Sequence, residues 1–311
     1  MSIRWLLMAL VMLLTTTIQA KETIYWVQYD MRPFYIRDGQ FVGQGINEIA
    51  DQMIRDELPE YDHKIIWGNV ARIVTMLKSG QPIVCSSMLR SPEREAMFLF
   101  SKEYRRVSVA QQLVIAARRA SEFSPYLGAD GAIDLEKLLI DDKFSGVFPV
   151  GRSYGNPIDT LLKKYEANYA NRVQANYSMY DPMRTILKQL NSGRKDFTIA
   201  YPTEINYELK TGFPDDGPNT LAHAESAVDR NAPPFFLFLP IHGLPEFIPS
   251  YIAAPKTPWG EKVMADIDAV LPRLRFTPAF IQPIFDWNEG DARQRLQEYY
   301  RKQAVTDNKA K

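Results

Sequence analysis

The sequence predicts an α/β protein built from two lobes of similar construction. Short apolar runs typical of buried strands occur at Thr23–Gln28, Lys64–Trp67 and Ile83–Cys85, and amphipathic helical segments separate them. Such alternation is typical of a mainly parallel sheet with helices packed on it. A second observation is a repeat: residues 76–87 (MLKSGQPIVCSS) and 189–200 (QLNSGRKDFTIA) share the plan of helix end, glycine and apolar strand. The repeat indicates a second lobe that resembles the first.

The individual elements follow from apolar periodicity and from capping residues. Helices are predicted where apolar residues recur every three or four positions, and strands where β-branched and aromatic residues cluster. Thr257 followed by Pro258 is a typical helix start. The proline-heavy segment 233–249 is expected to form edge structure, since proline cannot donate a hydrogen bond inside a sheet. The remaining predicted elements are helices over 46–58, 70–77, 158–165, 183–190 and 291–302, and strands over 144–150, 197–201 and 251–254.

Charge and composition exclude several functional classes. The 311 residues contain 37 Lys and Arg and 37 Asp and Glu, so no whole-protein field favours nucleic acid or an anionic membrane. Cys85 is the only cysteine, which rules out an internal disulfide, and its apolar surroundings suit a core residue. The three histidines, His63, His223 and His242, are scattered. We therefore expect no metal site and no cofactor.

The first twenty residues are typical of a secretory signal. Arg4 provides the positive charge, residues 5–14 the apolar segment, and residues 15–20 a short stretch that ends at Ala20. The apolar segment is too short for an ordinary membrane span. We expect cleavage near Ala20 and a mature protein that is periplasmic, soluble and monomeric, with no direct membrane insertion.

The stretch from Ile83 to Phe100 carries the strongest candidate for ligand binding. Ser86 and Ser87 end a buried strand, Ser91 can cap a short helix, and Arg94 lies one turn into that helix. Ligands of open α/β sheets bind at the carboxyl ends of strands. Arginine offers two parallel donors to a carboxylate. On this stretch alone, Arg94 is equally well explained as a solvated surface charge.

A second candidate is the loop Gly151–Gly155, which contains Arg152, Ser153 and Tyr154. It lies between a predicted strand and a predicted helix, where backbone N–H groups can bind an anion. It lacks the Gly-Lys-Ser/Thr sequence of a phosphate-binding loop. An ordinary strand-to-helix turn explains it equally well.

Taken in order, several motifs resemble one known family. GQFVGQGINEIADQM, MLKSG, SPEREAMFLFSKEY, a Gly-Arg-Ser loop, LNSGRKDF and AAPKTPWGEKV are similar to segments of the family 3 extracellular solute-binding proteins of the polar amino-acid type. The resemblance covers nearly all of residues 23–303. Its most specific part is Ser91-Pro92-Glu93-Arg94 with Phe100-Ser101 and Tyr104, which looks like the family signature Thr-x-x-Arg…Phe-Ser…Tyr.

The resemblance implies two α/β lobes that are joined by two crossing strands and close on a small ligand, the type II fold of periplasmic binding proteins. Lobe one would comprise residues 21–106 and 251–311, and lobe two residues 107–250. Arg94 would match the arginine that grips the ligand carboxylate. The other residues that would line the cleft on this basis are Ser86, Ser87, Ser153, Tyr154, Trp67, Asn69, Phe34, Arg32, Tyr201 and Glu204.

Departures from the family pattern bear on the ligand. Tyr201 stands where the family has an aspartate that pairs with the ligand ammonium, and Glu204 is a nearby substitute. Met31 stands where an aromatic residue often packs on the ligand, and Pro82 replaces a structural aspartate. An unpaired ammonium in a closed cleft is costly. A carboxylate or other polar or anionic ligand without a free amine therefore fits as well as an amino acid.

Three functions follow from these observations. The leading one is a periplasmic receptor that binds a small molecule for a membrane permease of the ABC type. The second is an enzyme on the same scaffold, such as a dehydratase of small carboxylates, with Glu204, Asp30 or Glu48 as the general acid or base. The third is a sensory module that reports ligand occupancy to a membrane partner.

Overall fold

The computed structural model describes residues 20–149, 152–166, 182–213 and 235–310, and they contain two sheets flanked by helices. Residues 1–19 of the predicted signal segment 1–20, residue 150 at the end of a predicted strand, Gly151 of the candidate loop, and His223 lie outside the described residues. The described strands are β1 (Thr23–Gln28), β2 (Asp62–Trp67), β3 (Ile83–Met88), β4 (Phe98–Phe100), β5 (Arg106–Val109), β6 (Gln112–Ala116), β7 (Phe197–Ala200), β8 (Phe236–Leu239) and β9 (Phe247–Pro255).

The described α-helices occupy most of the segments in which apolar periodicity predicted them. Ser91 and Thr257 cap their helices as expected, since each side-chain oxygen accepts a hydrogen bond from a backbone N–H in the first turn. The α-helices are Ile46–Asp56, Val70–Lys78, Pro92–Met97, Ala120–Phe123, Leu135–Ile140, Ile158–Lys164, Pro182–Ser192, Pro202–Lys210, Pro258–Leu274, Pro278–Asp286 and Gly290–Ala310. None of the helices within the described part of the chain is long and apolar enough to cross a membrane.

The first sheet has the strand order β2-β1-β3-β9-β4, and β5 also pairs with β9. β1 pairs in parallel with both β2 and β3, as the strand–helix alternation predicts. β9 comes from the far end of the sequence and is antiparallel to β3 and β4. The carboxyl ends of β1, β2 and β3 therefore lie at one edge of this sheet, which is where ligands are expected.

The second sheet differs from the prediction in the direction of its strands. Its described strands have the order β7-β6-β8, and both pairings are antiparallel, whereas a mainly parallel sheet was predicted for each lobe. One parallel bridge, between Gly146 and Phe197, is all that the described residues retain of the predicted strand 144–150. The apolar runs are alike in either direction because both faces are buried, so the sequence pattern could not reveal the orientation. β8 lies at the edge of this sheet, as the prolines of the surrounding segment 233–249 predict.

Two strands carry the chain between the sheets. β5 pairs antiparallel with the first half of β9 and leads within three residues into β6 of the second sheet. β9 returns from the second sheet, and its second half pairs with β3 and β4 of the first. The expectation of two crossing strands between two α/β lobes is therefore confirmed.

Each sheet is covered on both faces by apolar residues. In β1, Ile24 and Trp26 pack against the helices Pro258–Leu274 and Pro278–Asp286, while Val27 faces the helix Val70–Lys78. β6 alternates in the same way between two further clusters. A strand buried on both faces must be apolar throughout, which explains the unbroken apolar runs in the sequence.

Candidate ligand-binding cleft

A cleft of about 530 Å³ is lined by residues from both lobes. Arg94 lines it from the first lobe and Ser153 lines it from the second. Arg94 lies in the short helix Pro92–Met97, and Ser153 lies in the loop before the helix Ile158–Lys164. The fold therefore brings together two residues that are 59 positions apart in sequence. This size suits a small molecule. The other predicted residues that line the cleft are Arg32, Trp67, Asn69, Ser87, Tyr201 and Glu204.

Arg94 has donors free for a ligand. Its backbone N–H is bound by the Ser91 cap at 3.3 Å, and its Nη1 donates to the carbonyl of Leu89 at 2.9 Å. The side chain is partly buried and forms no ion pair with any carboxylate of the described residues. A guanidinium held by one backbone contact and left without a counter-ion is well placed to bind a carboxylate.

The two strand-end serines have different surroundings. Ser87 lines the cleft, and its hydroxyl accepts a hydrogen bond from Arg106 Nη2 at 3.2 Å. Ser86 is only 1% exposed and faces the opposite way, where its hydroxyl donates to Asp51 at 2.8 Å. Successive residues of a strand point to opposite faces. Ser86 is therefore buried within the first lobe and does not line the cleft, in contrast to its predicted position there.

Backbone N–H groups of the second-lobe loop are bound by a carboxylate of the helix that follows it. The carboxylate of Asp159 accepts from the Tyr154 N–H at 2.7 Å, from the Gly155 N–H at 3.1 Å and from the Ser153 hydroxyl at 2.6 Å. Those two N–H groups are thus not available to an anion, which agrees with the alternative of an ordinary strand-to-helix turn. Ser153 still lines the cleft, but Tyr154 is buried in the second-lobe core and does not.

The predicted residues on the first-lobe side of the cleft differ in their positions and contacts. Trp67 lines the cleft, and the guanidinium of Arg37 lies 5.8 Å from its ring centre. Asn69 lies at the rim and caps the next helix by accepting from Arg72 N at 2.9 Å. Arg32 is in the wall but is ion-paired. Phe34 does not line the cleft.

Tyr201 and Glu204 both line the cleft, yet neither is placed to accept an ammonium. The Tyr201 hydroxyl accepts a hydrogen bond from Gln111 at 2.7 Å. Glu204 binds Arg152 through two parallel contacts, of 2.7 and 2.6 Å. Its carboxylate also accepts from the Tyr201 N–H at 2.9 Å, which caps the helix Pro202–Lys210. Glu204 is thus already neutralised by a protein cation.

Sequence reasoning missed Arg106, at the floor of the cleft. It begins β5, lines the cleft and is stacked on Phe34, with its guanidinium carbon 4.1 Å from the ring centre. Burial, and then the neighbouring Arg105 cation, lower the pKa of Arg106. The available signal was the pair of adjacent arginines in a β-prone run, because alternation sends one of them to each face.

The carboxylates that line the described part of the cleft are engaged in ion pairs. Asp30, Glu204 and Glu208 are the carboxylates that line the cleft in the described residues, and each is ion-paired with an arginine. Glu48 lies outside the cleft and caps the helix Ile46–Asp56. Burial raises the pKa of the Cys85 thiol to about 11, so it is protonated at neutral pH.

The described histidines also have structural surroundings. His63 accepts from Trp26 Nε1 at 3.1 Å, and its other ring nitrogen contacts the carbonyl of Leu58. His242 is exposed beside Asp130. The described residues contain no group of histidine, cysteine and carboxylate side chains suited to hold a metal ion.

Comparison with known proteins identifies the fold. No family model and no curated protein matches the sequence. A putative L-cystine ABC transporter protein from Listeria monocytogenes is 16% identical, with a TM-score of 0.58 over 86% of this chain and 95% of its own. A probable amino-acid ABC transporter extracellular-binding protein from Bacillus subtilis is 16% identical, with a TM-score of 0.55 over 86% and 98%. An ancestral amino-acid-binding protein, described as a precursor of cyclohexadienyl dehydratase, is 14% identical, with a TM-score of 0.55 over 86% and 96%.

The chain has the type II periplasmic-binding-protein fold. The resemblance seen in the sequence motifs is thus confirmed at the level of the fold, and the two sheets and crossing strands described above are its two lobes and their connection. Identities of 14–16% do not extend to the ligand, which has to be argued from this chain's own cleft.

Proposed function

We propose that this protein is a periplasmic receptor that captures a small carboxylate-bearing ligand between its lobes for an ABC-type permease. One observation carries the proposal: Arg94, a partly buried cation without a carboxylate partner in the described residues, shares a cleft with Ser153 of the other lobe. Extracellular-binding proteins of amino-acid and cystine transporters with this fold support it.

The binding step follows from how two lobes respond to a ligand. A ligand shifts the open–closed balance only through contacts that differ between the two states. A carboxylate held by Arg94 of lobe one gains such contacts when lobe two closes over it. Each charge-assisted hydrogen bond contributes about 1.5–3 kcal/mol.

The same cleft favours ligands without a free ammonium. Each carboxylate that lines it in the described residues is engaged by an arginine, and Tyr201 replaces the expected aspartate. An ammonium brought into a closed cleft would find no free anionic partner there, and burying it unpaired is unfavourable. We therefore place carboxylates without an amine ahead of α-amino acids.

The proposal includes the cellular context and the organisation of the chain. Export through a signal cleaved near Ala20 places the receptor in the periplasm, where it acts as a monomer with lobe one at 21–106 and 251–311 and lobe two at 107–250. The first boundary lies in β5 and the second in β9, the two paired crossing strands. These are the positions at which a hinge between the lobes belongs.

An enzyme is the second candidate, because one protein of the same fold is described as the precursor of a dehydratase. Against it, the ion pairs of Asp30, Glu204 and Glu208 leave no free general base among the described cleft residues. Product formation from a prephenate-like carboxylate would favour the enzyme.

A sensory role would use the same ligand-binding step as a transport receptor. A pull-down against permease and sensor proteins distinguishes the sensory role from transport.

Two measurements test the proposed function. Native mass spectrometry of freshly purified protein is expected to show a co-purified small molecule that is lost on partial unfolding. Isothermal titration of succinate, butyrate and L-glutamine is expected to show saturable binding of at least one carboxylate, together with compaction in small-angle X-ray scattering. Binding of none of these probes, with no co-purified molecule, would contradict the proposal.

A further inference from the structure

The floor of the cleft contains a second buried cation that a single carboxylate at Arg94 does not explain. Arg106 begins β5 and is directly opposite Ser250 of β9 in the antiparallel pair of crossing strands. Both residues line the cleft, although Arg106 is only 5% exposed and Ser250 only 4%. Directly opposite residues of an antiparallel pair have neighbouring side chains on the same face.

Arg106 has no carboxylate counter-ion among the residues that the structure describes. Its Nε donates to Asn47 Oδ1 at 2.9 Å, its Nη1 donates to the Ser108 hydroxyl, and its Nη2 donates to the Ser87 hydroxyl at 3.2 Å. All three acceptors are neutral, and no carboxylate of the described residues forms an ion pair with it. A guanidinium has five N–H groups, so one on each terminal nitrogen remains without an acceptor in this part of the chain.

Ser250 provides a second, independent observation. Its hydroxyl is buried and has no hydrogen-bond partner among the described residues. Buried polar groups are nearly always paired, and an exception calls for an explanation such as a missing ligand. A buried hydroxyl on the residue opposite Arg106 in the strand pair is a suitable third donor for an anion.

We propose that Arg106, Ser250 and Ser87 form a second anion subsite at the cleft floor, so that the ligand of this receptor is a dianion such as a dicarboxylate. One carboxylate would bind Arg94, and the other would bind the floor subsite. Arg106 and Arg94 are the partly or fully buried arginines of the described cleft that lack a carboxylate partner, whereas Arg37 and Arg72 are exposed.

Two features indicate that Arg106 binds an anion and is not buried only for the stability of the fold. Phe34 packs against one face of the guanidinium and thereby fixes its plane. Arg105, the adjacent residue, forms its own buried ion pair with Asp51 at 2.6 Å. The protein thus compensates one of two adjacent buried arginines and leaves the charge of the other facing the cleft. An uncompensated buried charge is strongly unfavourable, and a ligand carboxylate would remove that cost.

This inference rests on the proposed function, and titration calorimetry tests the two separately. Succinate is the dicarboxylate probe and butyrate the matched monocarboxylate. The wild-type protein is expected to bind succinate at least about tenfold more tightly, since the second carboxylate adds charge-assisted hydrogen bonds. Malonate, glutarate and adipate extend the series in chain length, and 3-phosphonopropionate tests a different second anion.

The matched variants are Arg106→Gln and Arg55→Gln. Arg55 is also a buried arginine, 8% exposed, without a carboxylate ion pair in the described residues, but it packs on Trp26 outside the cleft. Arg106→Gln is expected to abolish the preference for succinate over butyrate. Arg55→Gln is expected to leave the preference unchanged.

Ser250→Ala is the variant that does not endanger folding, since its hydroxyl has no hydrogen-bond partner to lose among the described residues. It is expected to weaken succinate binding about tenfold and butyrate binding by less than twofold. Equal affinities of the wild-type protein for succinate and butyrate, or an unchanged preference in both Arg106→Gln and Ser250→Ala, would overturn the dianion subsite and leave the receptor proposal standing. Failure of every carboxylate to bind would instead overturn the receptor proposal.

Discussion

Arg152 and Glu204 form a bidentate ion pair at the edge of the cleft, with nitrogen–oxygen distances of 2.7 and 2.6 Å. The arginine side chain is 13% exposed and the glutamate side chain 4%. The pair explains how a glutamate can lie near the expected ammonium site without serving it. Its charge is balanced by an arginine of the same lobe, which under the proposed function favours ligands without an ammonium.

Glu204→Gln is expected to destabilise the protein without abolishing binding. The substitution keeps a side-chain oxygen that can cap Tyr201 N–H, but it leaves the buried Arg152 without a counter-ion. Removing one partner of a buried pair costs about 3–5 kcal/mol. Urea unfolding measures this loss, and calorimetry with succinate is expected to show equal or tighter binding, since an arginine is released.

Glu122→Gln is the control for that experiment, because its ion pair with Arg119 is 40% exposed on the glutamate side. Exposed pairs contribute about 0–1 kcal/mol, so little change in stability is expected. The interpretation of Glu204 fails if Glu204→Gln instead leaves stability intact and removes binding of L-glutamine alone.

Ser86→Ala and Ser87→Ala are expected to have opposite effects. Ser86 binds Asp51 inside the first lobe, so its loss lowers the unfolding free energy by about 1–3 kcal/mol and leaves succinate affinity within twofold. Ser87 lines the cleft, so its loss weakens binding about fivefold to tenfold with less change in stability. Urea unfolding and calorimetry on both variants check the assignment, which a reversed pattern would contradict.

Asp196 is expected to contribute stability that depends on pH. Burial opposes its ionisation, but hydrogen bonds from Arg119 and from the N–H and hydroxyl of Ser145 outweigh burial and lower its pKa. A carboxylate whose pKa is lower in the folded state stabilises the protein above its unfolded pKa of about 3.9 and loses this effect as the pH falls through the folded value.

Asp196→Asn should therefore be less stable than the wild-type protein at pH 7. The difference should shrink as the pH is lowered below about 4, which unfolding experiments over a pH series measure. A difference that stays constant down to the lowest pH at which the protein folds would show that the charge of Asp196 is not responsible.

Trp287 is expected to be a major stabilising contact between distant segments. Its ring lies 5.1 Å from that of Phe41 and 5.2 Å from that of Tyr207, and its indole N–H donates to the carbonyl of Gln44 at 3.0 Å. Trp287→Ala should cost about 3–5 kcal/mol. Trp287→Phe, which keeps an aromatic ring and loses the hydrogen bond, should cost less. Equal losses in the two variants would contradict this account of the packing.

Local features of the fold could be predicted from the sequence because they depend on neighbouring residues. The caps at Ser91 and Thr257 and the apolar runs of β1 and β3 follow from residue types a few positions apart. The motifs also predicted the cleft position of Arg94 and Ser153.

The remaining features depend on partners far apart in sequence. Asp51 is typical of a solvated helix face, yet it is buried against Arg105, 54 residues away. Ser86 belongs to the same network, so sequence alone could not separate it from Ser87. Arg106 could not be recognised as a cleft residue until β5 was paired with β9. The antiparallel second sheet was missed because strands buried on both faces carry no directional pattern.

The central claim is that Arg94 anchors a carboxylate between the lobes, and calorimetry on Arg94→Ala tests it most directly. Arg90→Ala is the control, since Arg90 is a nearby exposed arginine ion-paired with Glu95 and outside the cleft. With succinate as ligand, Arg94→Ala is expected to weaken binding at least about tenfold and to prevent compaction in X-ray scattering, while Arg90→Ala behaves as the wild type. An Arg94→Ala protein that binds succinate with wild-type affinity would contradict the account.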